Sequence, residues 1–231
     1  MTVVLWDVDG TLLRAGGAGA RCFRDGLASM GRAWPDAKLD FGGRTDPEIA
    51  RLLLDATHPD GATPDPGAPA ALLAFVEATY AARAAELATL TSALPNVRAA
   101  IAAVAEAGAV QTVVTGNVCS IARHKLAAVG LDDVIDLSLG AFGDDDHVDR
   151  TDLVRLALGR IDAAGHACDP ATCWVVGDTP RDLAAARAAG VRCALVATGT
   201  FDSPTLAALE PDLVLADLHG VATLLAAFTD G

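Results

Sequence analysis

The sequence predicts an α/β protein: a Rossmann-like parallel sheet with a helical insert after the first strand. Three observations predict it. Short apolar runs of strand length alternate with amphipathic helical patterns, and strands that are apolar throughout imply a parallel sheet covered on both faces. The runs end on small or acidic residues, and such sheets collect their chemistry at the carboxyl ends of their strands. Residues 14–92 break the alternation with helical patterns alone. The expected division is a core of residues 1–13 and 93–231 carrying an insert of residues 14–92.

The first strand is Val3 to Trp6, ended by Asp7. In the insert, helical patterns cover Ala20 to Met30, Asp46 to Thr57 and Ala70 to Leu90, with a Pro/Gly-rich loop from His58 to Pro69 and no convincing strand. Val97, Ile101 and Val104 then recur at helical spacing, with Gly108 placed to stop the helix. The next strand, Val110 to Val114, ends at Thr115. Ile121 to Gly130 repeats the pattern of a helix closed by Gly. A strand at Trp174 to Val176 runs into Gly177 and Asp178, and Asp182 to Gly190 is the helix after it. Cys193 to Val196 and Leu213 to Leu215 supply the last strands.

The 231 residues suffice for one large domain or a domain with an insert. Against 17 Lys and Arg stand 30 acids, of which only five are Glu, and the formal net charge is −13. Nucleic acid and anionic membrane both demand a basic footprint, so neither is an expected partner. No window approaches the ~20 apolar residues of a membrane span. The first ten residues lack the basic start of a signal peptide. Five scattered cysteines form no CxxC pair, which fits a reduced, cytoplasmic chain with mostly buried thiols.

Three motifs carry candidate chemistry. Asp7-Val8-Asp9-Gly10-Thr11 puts two carboxylates at the mouth of a buried strand. They are costly neighbours unless a cation joins them, although an Asx-rich turn fits the same letters. Thr115-Gly116-Asn117 offers a hydroxyl, a flexible backbone and an amide, a neutral cradle for anionic oxygens that is also ordinary turn chemistry. Gly177-Asp178-Thr179-Pro180-Arg181-Asp182 again sets an acid at a strand end, with Asp182 placed either to cap the next helix or to serve a metal site.

In this order, strand plus DxDGT, strand plus TGN and strand plus GDxxxD, the motifs resemble the haloacid dehalogenase-like hydrolase superfamily across the whole chain. The insert is similar to that family's helical cap. Gly42-Gly43-Arg44-Thr45-Asp46 resembles a stretch in caps of the phosphoglycolate phosphatase-like branch, and Leu94-Pro95-Asn96-Val97 resembles the return from cap to core.

The resemblance implies a phosphatase acting on a small phosphorylated metabolite. Asp7 would be the nucleophile and Asp9 the general acid and base. Mg²⁺ would be held by the carboxylates of Asp7 and Asp178 and the main-chain carbonyl of Asp9, with Asp182 in its outer shell orienting water or Thr11. Thr115, Gly116 and Asn117 would bind the phosphoryl oxygens, and Thr11 belongs to the same substrate-binding set. The family's usual lysine has no obvious counterpart, and Arg150, in Asp149-Arg150-Thr151, is the expected substitute. Its rival, Lys125, lies two turns along a helix and reads as a solvated surface lysine. Arg44 is expected to meet the substrate beyond its phosphate, the plain alternative being an ion pair with Asp46 or Glu48.

A phosphosugar mutase of the same superfamily is the alternative enzyme, and a non-catalytic scaffold the alternative from another class. Asp144-Asp145-Asp146 reads as a solvated loop, and the five histidines as isolated. Trp34, Trp174 and the phenylalanines read as packing residues, and most Asp as surface or capping residues.

Overall fold

The structure is a computed structural model that describes residues 1–58, 65–146 and 149–228. Residues 59–64 of the expected Pro/Gly-rich loop and His147 lie outside the described residues.

Strand β1 (Val3–Trp6) has no exposed residue, and its alternation sorts them. Val4 and Trp6 enter one apolar cluster and Val3 and Leu5 another, so the two faces of the sheet have separate cores. Between β1 and the next sheet strand come β2 (Leu13–Arg14), α1 (Ala18–Ser29), α2 (Asp46–Ala56), α3 (Ala68–Ala82), α4 (Ala84–Ala88), β3 (Ser92–Ala93) and α5 (Val97–Glu106). Then follow β4 (Val110–Val113), α6 (Cys119–Ala128), α7 (Thr151–Ala163), β5 (Cys173–Gly177), α8 (Pro180–Ala189), β6 (Arg192–Val196), α9 (Ser203–Ala207), β7 (Leu213–Leu215) and α10 (Val221–Ala227).

Among the described residues the main sheet has the order β4-β1-β5-β6-β7 and is parallel throughout. The chain leaves β1 to pair on one side with β4 and returns to pair on the other with β5. That reversal opens a crevice at the carboxyl ends of β4, β1 and β5. Register places the motifs there: Trp6 lies opposite both Val113 and Val176. The next residues of the three strands, Asp7, Val114 with Thr115, and Gly177 with Asp178, therefore emerge together.

The helical patterns fall where expected, with three differences. The pattern over Ala70 to Leu90 is two helices that part at Arg83, whose guanidinium is drawn to Asp25 on α1 and to Glu86. The insert is not free of strand: Leu13–Arg14 and Ser92–Ala93 form a small antiparallel ribbon where it leaves and rejoins the core. Two residues are too few to show a period of two. Helix α7 has no counterpart in the expected order, although Leu153, Val154, Ala157 and Ile161 carry the helical period and fill one core.

The insert has its own apolar cluster, built on Phe23, Leu27, Leu53, Leu72, Val76 and Leu87, and it extends onto Val118 and Ile121 at the start of α6. Helix α6 thus faces two ways, since Ala122 and Leu126 pack toward the sheet. The preference for Asp over Glu also has a structural reason. Asp169, Asp202 and Asp217 each accept a backbone N–H two or three residues on, a reach that suits the shorter side chain. The Asp144–Asp146 run is more structured than a solvated loop: Asp145 forms a paired contact with Arg160, and Asp144 accepts the N–H of Cys119.

Candidate active site

The crevice contains a cavity of about 720 Å³, bounded on the core side by Asp7, Asp9, Thr115, Gly116, Asn117 and Asp178 and on the insert side by Arg44 and Asp46. Asp7 leaves β1 with its N–H on the Val176 carbonyl, so sheet pairing fixes its backbone. Gly10 follows with φ near 87°, and a side chain there would run into the Asp178 carboxylate.

Carboxylate oxygens of Asp7, Asp178 and Asp182 lie within 4.8 Å of one another, and all three residues are buried. Against them stands Arg150, which donates to Asp7 Oδ1 at 3.0 Å and to Asp182 Oδ1 at 2.7 Å. One guanidinium does not balance three acids. Burial, then repulsion from Asp182, pushes Asp7 up to about 7 despite Arg150. Burial, then repulsion from Asp7 and Asp182, pushes Asp178 up to about 8. The donors are all oxygen, crowded and dry, and they fit a hard divalent cation, whose charge would offset theirs.

Asp182 takes the expected capping part and also meets Arg150. Its Oδ2 accepts from the N–H and hydroxyl of Thr179 at 2.9 and 2.8 Å, closing a capping box on α8, while its Oδ1 holds Arg150. Thr11 departs from expectation. It is fully buried and away from the cavity, and its hydroxyl lies 3.5 Å from Asp178 rather than on Asp182. Thr11 thus lies against an acid of the site rather than on the cavity wall.

The expectation for Lys125 is overturned. It is only 5 % exposed, and its Nζ donates to Asp9 Oδ2 at 2.5 Å and to Asn117 Oδ1 at 2.9 Å. Burial alone would depress its amine, but Asp9 and Asp46 raise it. The signal was present in the sequence: Ile121, Ala122, Lys125 and Leu126 share the buried face of α6. Arg150 and Lys125 are thus partners rather than rivals, one on each acid of the first motif.

Thr115, Gly116 and Asn117 line the cavity as expected, with the Thr115 hydroxyl accepting the Asn117 N–H at 3.3 Å. Gly116 also meets the insert. Its carbonyl accepts the Asp46 N–H at 2.7 Å, and a Cβ on it would collide with the Arg44 carbonyl. Asp46 returns the contact, Oδ2 accepting the Val118 N–H at 2.9 Å. Burial raises the Asp46 carboxyl to about 6, even though Lys125 and that N–H favour its charged form. Sequence reasoning gave Asp46 no part in the site beyond a pairing with Arg44. That pairing is not what forms: Arg44 lines the cavity and donates from Nε to the Asp40 carbonyl at 2.8 Å, while Glu48 joins Thr45 in a capping box.

A parallel sheet with an acid-lined crevice at its switch point, roofed by a helical insert, is an α/β architecture that gathers carboxylates where such sheets hold their ligands. The model of the haloacid dehalogenase-like hydrolase family matches residues 4–187, and the chain belongs to that family. Solved structures agree in fold. A predicted phosphoglycolate phosphatase from Haemophilus somnus 129pt superposes with a TM-score of 0.73 at 17% identity, covering 97% of each chain. CbbY from Rhodobacter sphaeroides in complex with phosphate superposes with a TM-score of 0.71 at 23% identity, covering 94% of this chain and 95% of that one. No curated protein sequence shows significant similarity to the chain. Among the described residues no helix is long and apolar enough to cross a membrane.

Proposed function

We propose that this hydrolase is a Mg²⁺-dependent phosphatase that cleaves a small phosphate monoester through a phosphorylated Asp7. The observation that carries the reading is the environment of Asp7: buried at a strand end, held by Arg150, grouped with Asp178 and Asp182, and two residues from an Asp9 that is held separately.

An Asp7 oxygen attacks phosphorus as the ester P–O bond breaks, and Asp9 gives its proton to the departing alcohol oxygen. Asp9 then takes a proton from water as that water attacks phosphorus. The bond from Asp7 to phosphorus breaks, and inorganic phosphate leaves. Lys125 holds one Asp9 oxygen, leaving the other for this transfer. Thr115 and the Gly116 and Asn117 backbone donate to the phosphoryl oxygens, and Arg150 supplies positive charge beside them. Asp7 and Asp178, with the main-chain carbonyl of Asp9, would hold Mg²⁺ and Asp182 would serve its outer shell, and the ion would supply the charge that lets a phosphate dianion enter an acidic site. Residues 14–92 act as the cap that excludes water during transfer.

The test is phosphate release from a panel of monoesters with Mg²⁺ and with chelator. Release that needs Mg²⁺ and falls by at least ~1,000-fold in Asp7→Asn is the expected result. No release from any ester, or an Asp7→Asn variant near wild-type rate, overturns the reading.

A further inference from the structure

The cavity is larger than its phosphate end requires. At the ~30 Å³ that one water occupies in the liquid, its roughly 720 Å³ corresponds to about two dozen water-sized groups. Phosphate joined to two or three carbons fills well under half of that. Beside the charged Arg14, Asp40, Arg44 and Arg181, the lining carries a cluster of carbon: Phe23, Trp34, Phe41 and Ile49 from the insert and Phe201 from the core. Phe23 belongs to the insert's buried cluster, with Trp34, Phe41 and Ile49 half-buried against it, so the wall is braced from behind. The Trp34 and Phe41 rings meet edge to face with centroids 6.0 Å apart.

Hydroxyls or a second anion set against this wall would exchange water for hydrocarbon. Each guanidinium at the rim already donates to a protein oxygen, with further N–H donors to spare. Arg44 holds the Asp40 carbonyl, Arg14 the Thr198 carbonyl, and Arg181 both the Gly42 carbonyl and the Asp40 carboxylate. An aromatic ring asks for no hydrogen bond here. It gains from the ring walls, and a guanidinium plane is also a surface on which it stacks.

We propose that the outer cavity selects phosphate monoesters whose alcohol carries an aromatic ring. This rests on the phosphatase reading above and sets aside the expectation that Arg44 receives a substrate carboxylate. Trp34 and Phe41 then become specificity-determining residues rather than packing alone.

The test is a kcat/KM series over methyl, benzyl and 2-naphthylmethyl phosphate, with 2-phosphoglycolate and glucose 6-phosphate for comparison. All are esters of primary alcohols, so leaving-group chemistry is similar and differences report on binding in the cavity. The expected order is naphthylmethyl over benzyl over methyl, with at least tenfold between the ends and both polar esters below benzyl. A flat series, or a preference for phosphoglycolate or the hexose phosphate, overturns the proposal while leaving the phosphatase reading intact. Release from none of them overturns the phosphatase reading itself. Trp34→Leu and Phe41→Leu should each lower the naphthylmethyl-to-methyl ratio about fivefold, and a ratio unchanged in both places the ring elsewhere. Calorimetric titration with 2-naphthylmethylphosphonate, which is not hydrolysed, should show the same loss of affinity in both variants.

Discussion

Two Arg–Asp pairs bracket the cavity, and they teach opposite lessons. At the strand ends Arg150 meets Asp182 at 2.7 Å with side chains 8% and 3% exposed. At the rim Arg181 of α8 meets Asp40 of the insert at 3.0 Å with side chains 35% and 69% exposed. The residue types are the same and the distances close, yet solvent separates their weights. A charge at the rim that loses its partner turns to water, and salt screens what attraction there was. A charge at the strand ends has no water to turn to, so the cost of stripping its partner is large. Breaking the inner pair therefore costs far more than breaking the rim pair.

The largest test of this contrast is Arg150→Ala. It leaves Asp7, Asp178 and Asp182 without their guanidinium and should cost about 3–5 kcal/mol in metal-free denaturant unfolding at pH 8. A loss under ~1 kcal/mol would place Arg150 with the rim residues. Next comes pH. Asp7 and Asp178 titrate near 7 and 8 in the folded chain and near 3.8 when unfolded, so between those values the folded state binds more protons. Their contribution is fullest below about 4 and is lost as pH rises through 7 to 8. Chelated protein should accordingly melt lower at pH 8.5 than at pH 6. Saturating Mg²⁺ should raise the melting temperature more at pH 8.5, by the equivalent of ~2.7 kcal/mol at a hundredfold excess over Kd.

Asp46→Ala lies between the extremes. It removes the acceptor of the Val118 N–H in a buried place and should cost ~1–3 kcal/mol by chemical denaturation. Arg181→Ala should be the mildest, under ~1 kcal/mol, with any effect fading as salt is raised from low to physiological. An Arg181→Ala loss as large as that of Arg150→Ala would erase the contrast between rim and interior.

Particular residues show how far the sequence could be read. The strand ending at Asp7 was legible because four apolar β-formers in a row followed by an acid are a local signal. Helices α5 and α8 were legible from period and a closing Gly, and Gly190 takes the left-handed conformation its position required. The ribbon of β2 and β3 was hidden by its length. The burial of Lys125 does not show in its position along the helix, only in the face it shares with Ile121, Ala122 and Leu126. The aromatic wall escaped because Trp34 and Phe41 sit in an irregular stretch before α2, where no period says what they face.

By itself the sequence determined what each element is and where it carries an acid, since spacing along the chain sets strand ends and helix faces within a few residues. It also set the −13 charge and the expectation that most Asp are surface or capping residues. The tertiary structure decided which cation serves which carboxylate. Asp7 and Arg150 are 143 residues apart and Asp9 and Lys125 are 116 apart, and strand order with helix packing, rather than local spacing, brings them together. It also decided that Asp46 joins the insert to Gly116 and Val118, because only the folded chain puts a dry place there for a carboxylate to bridge.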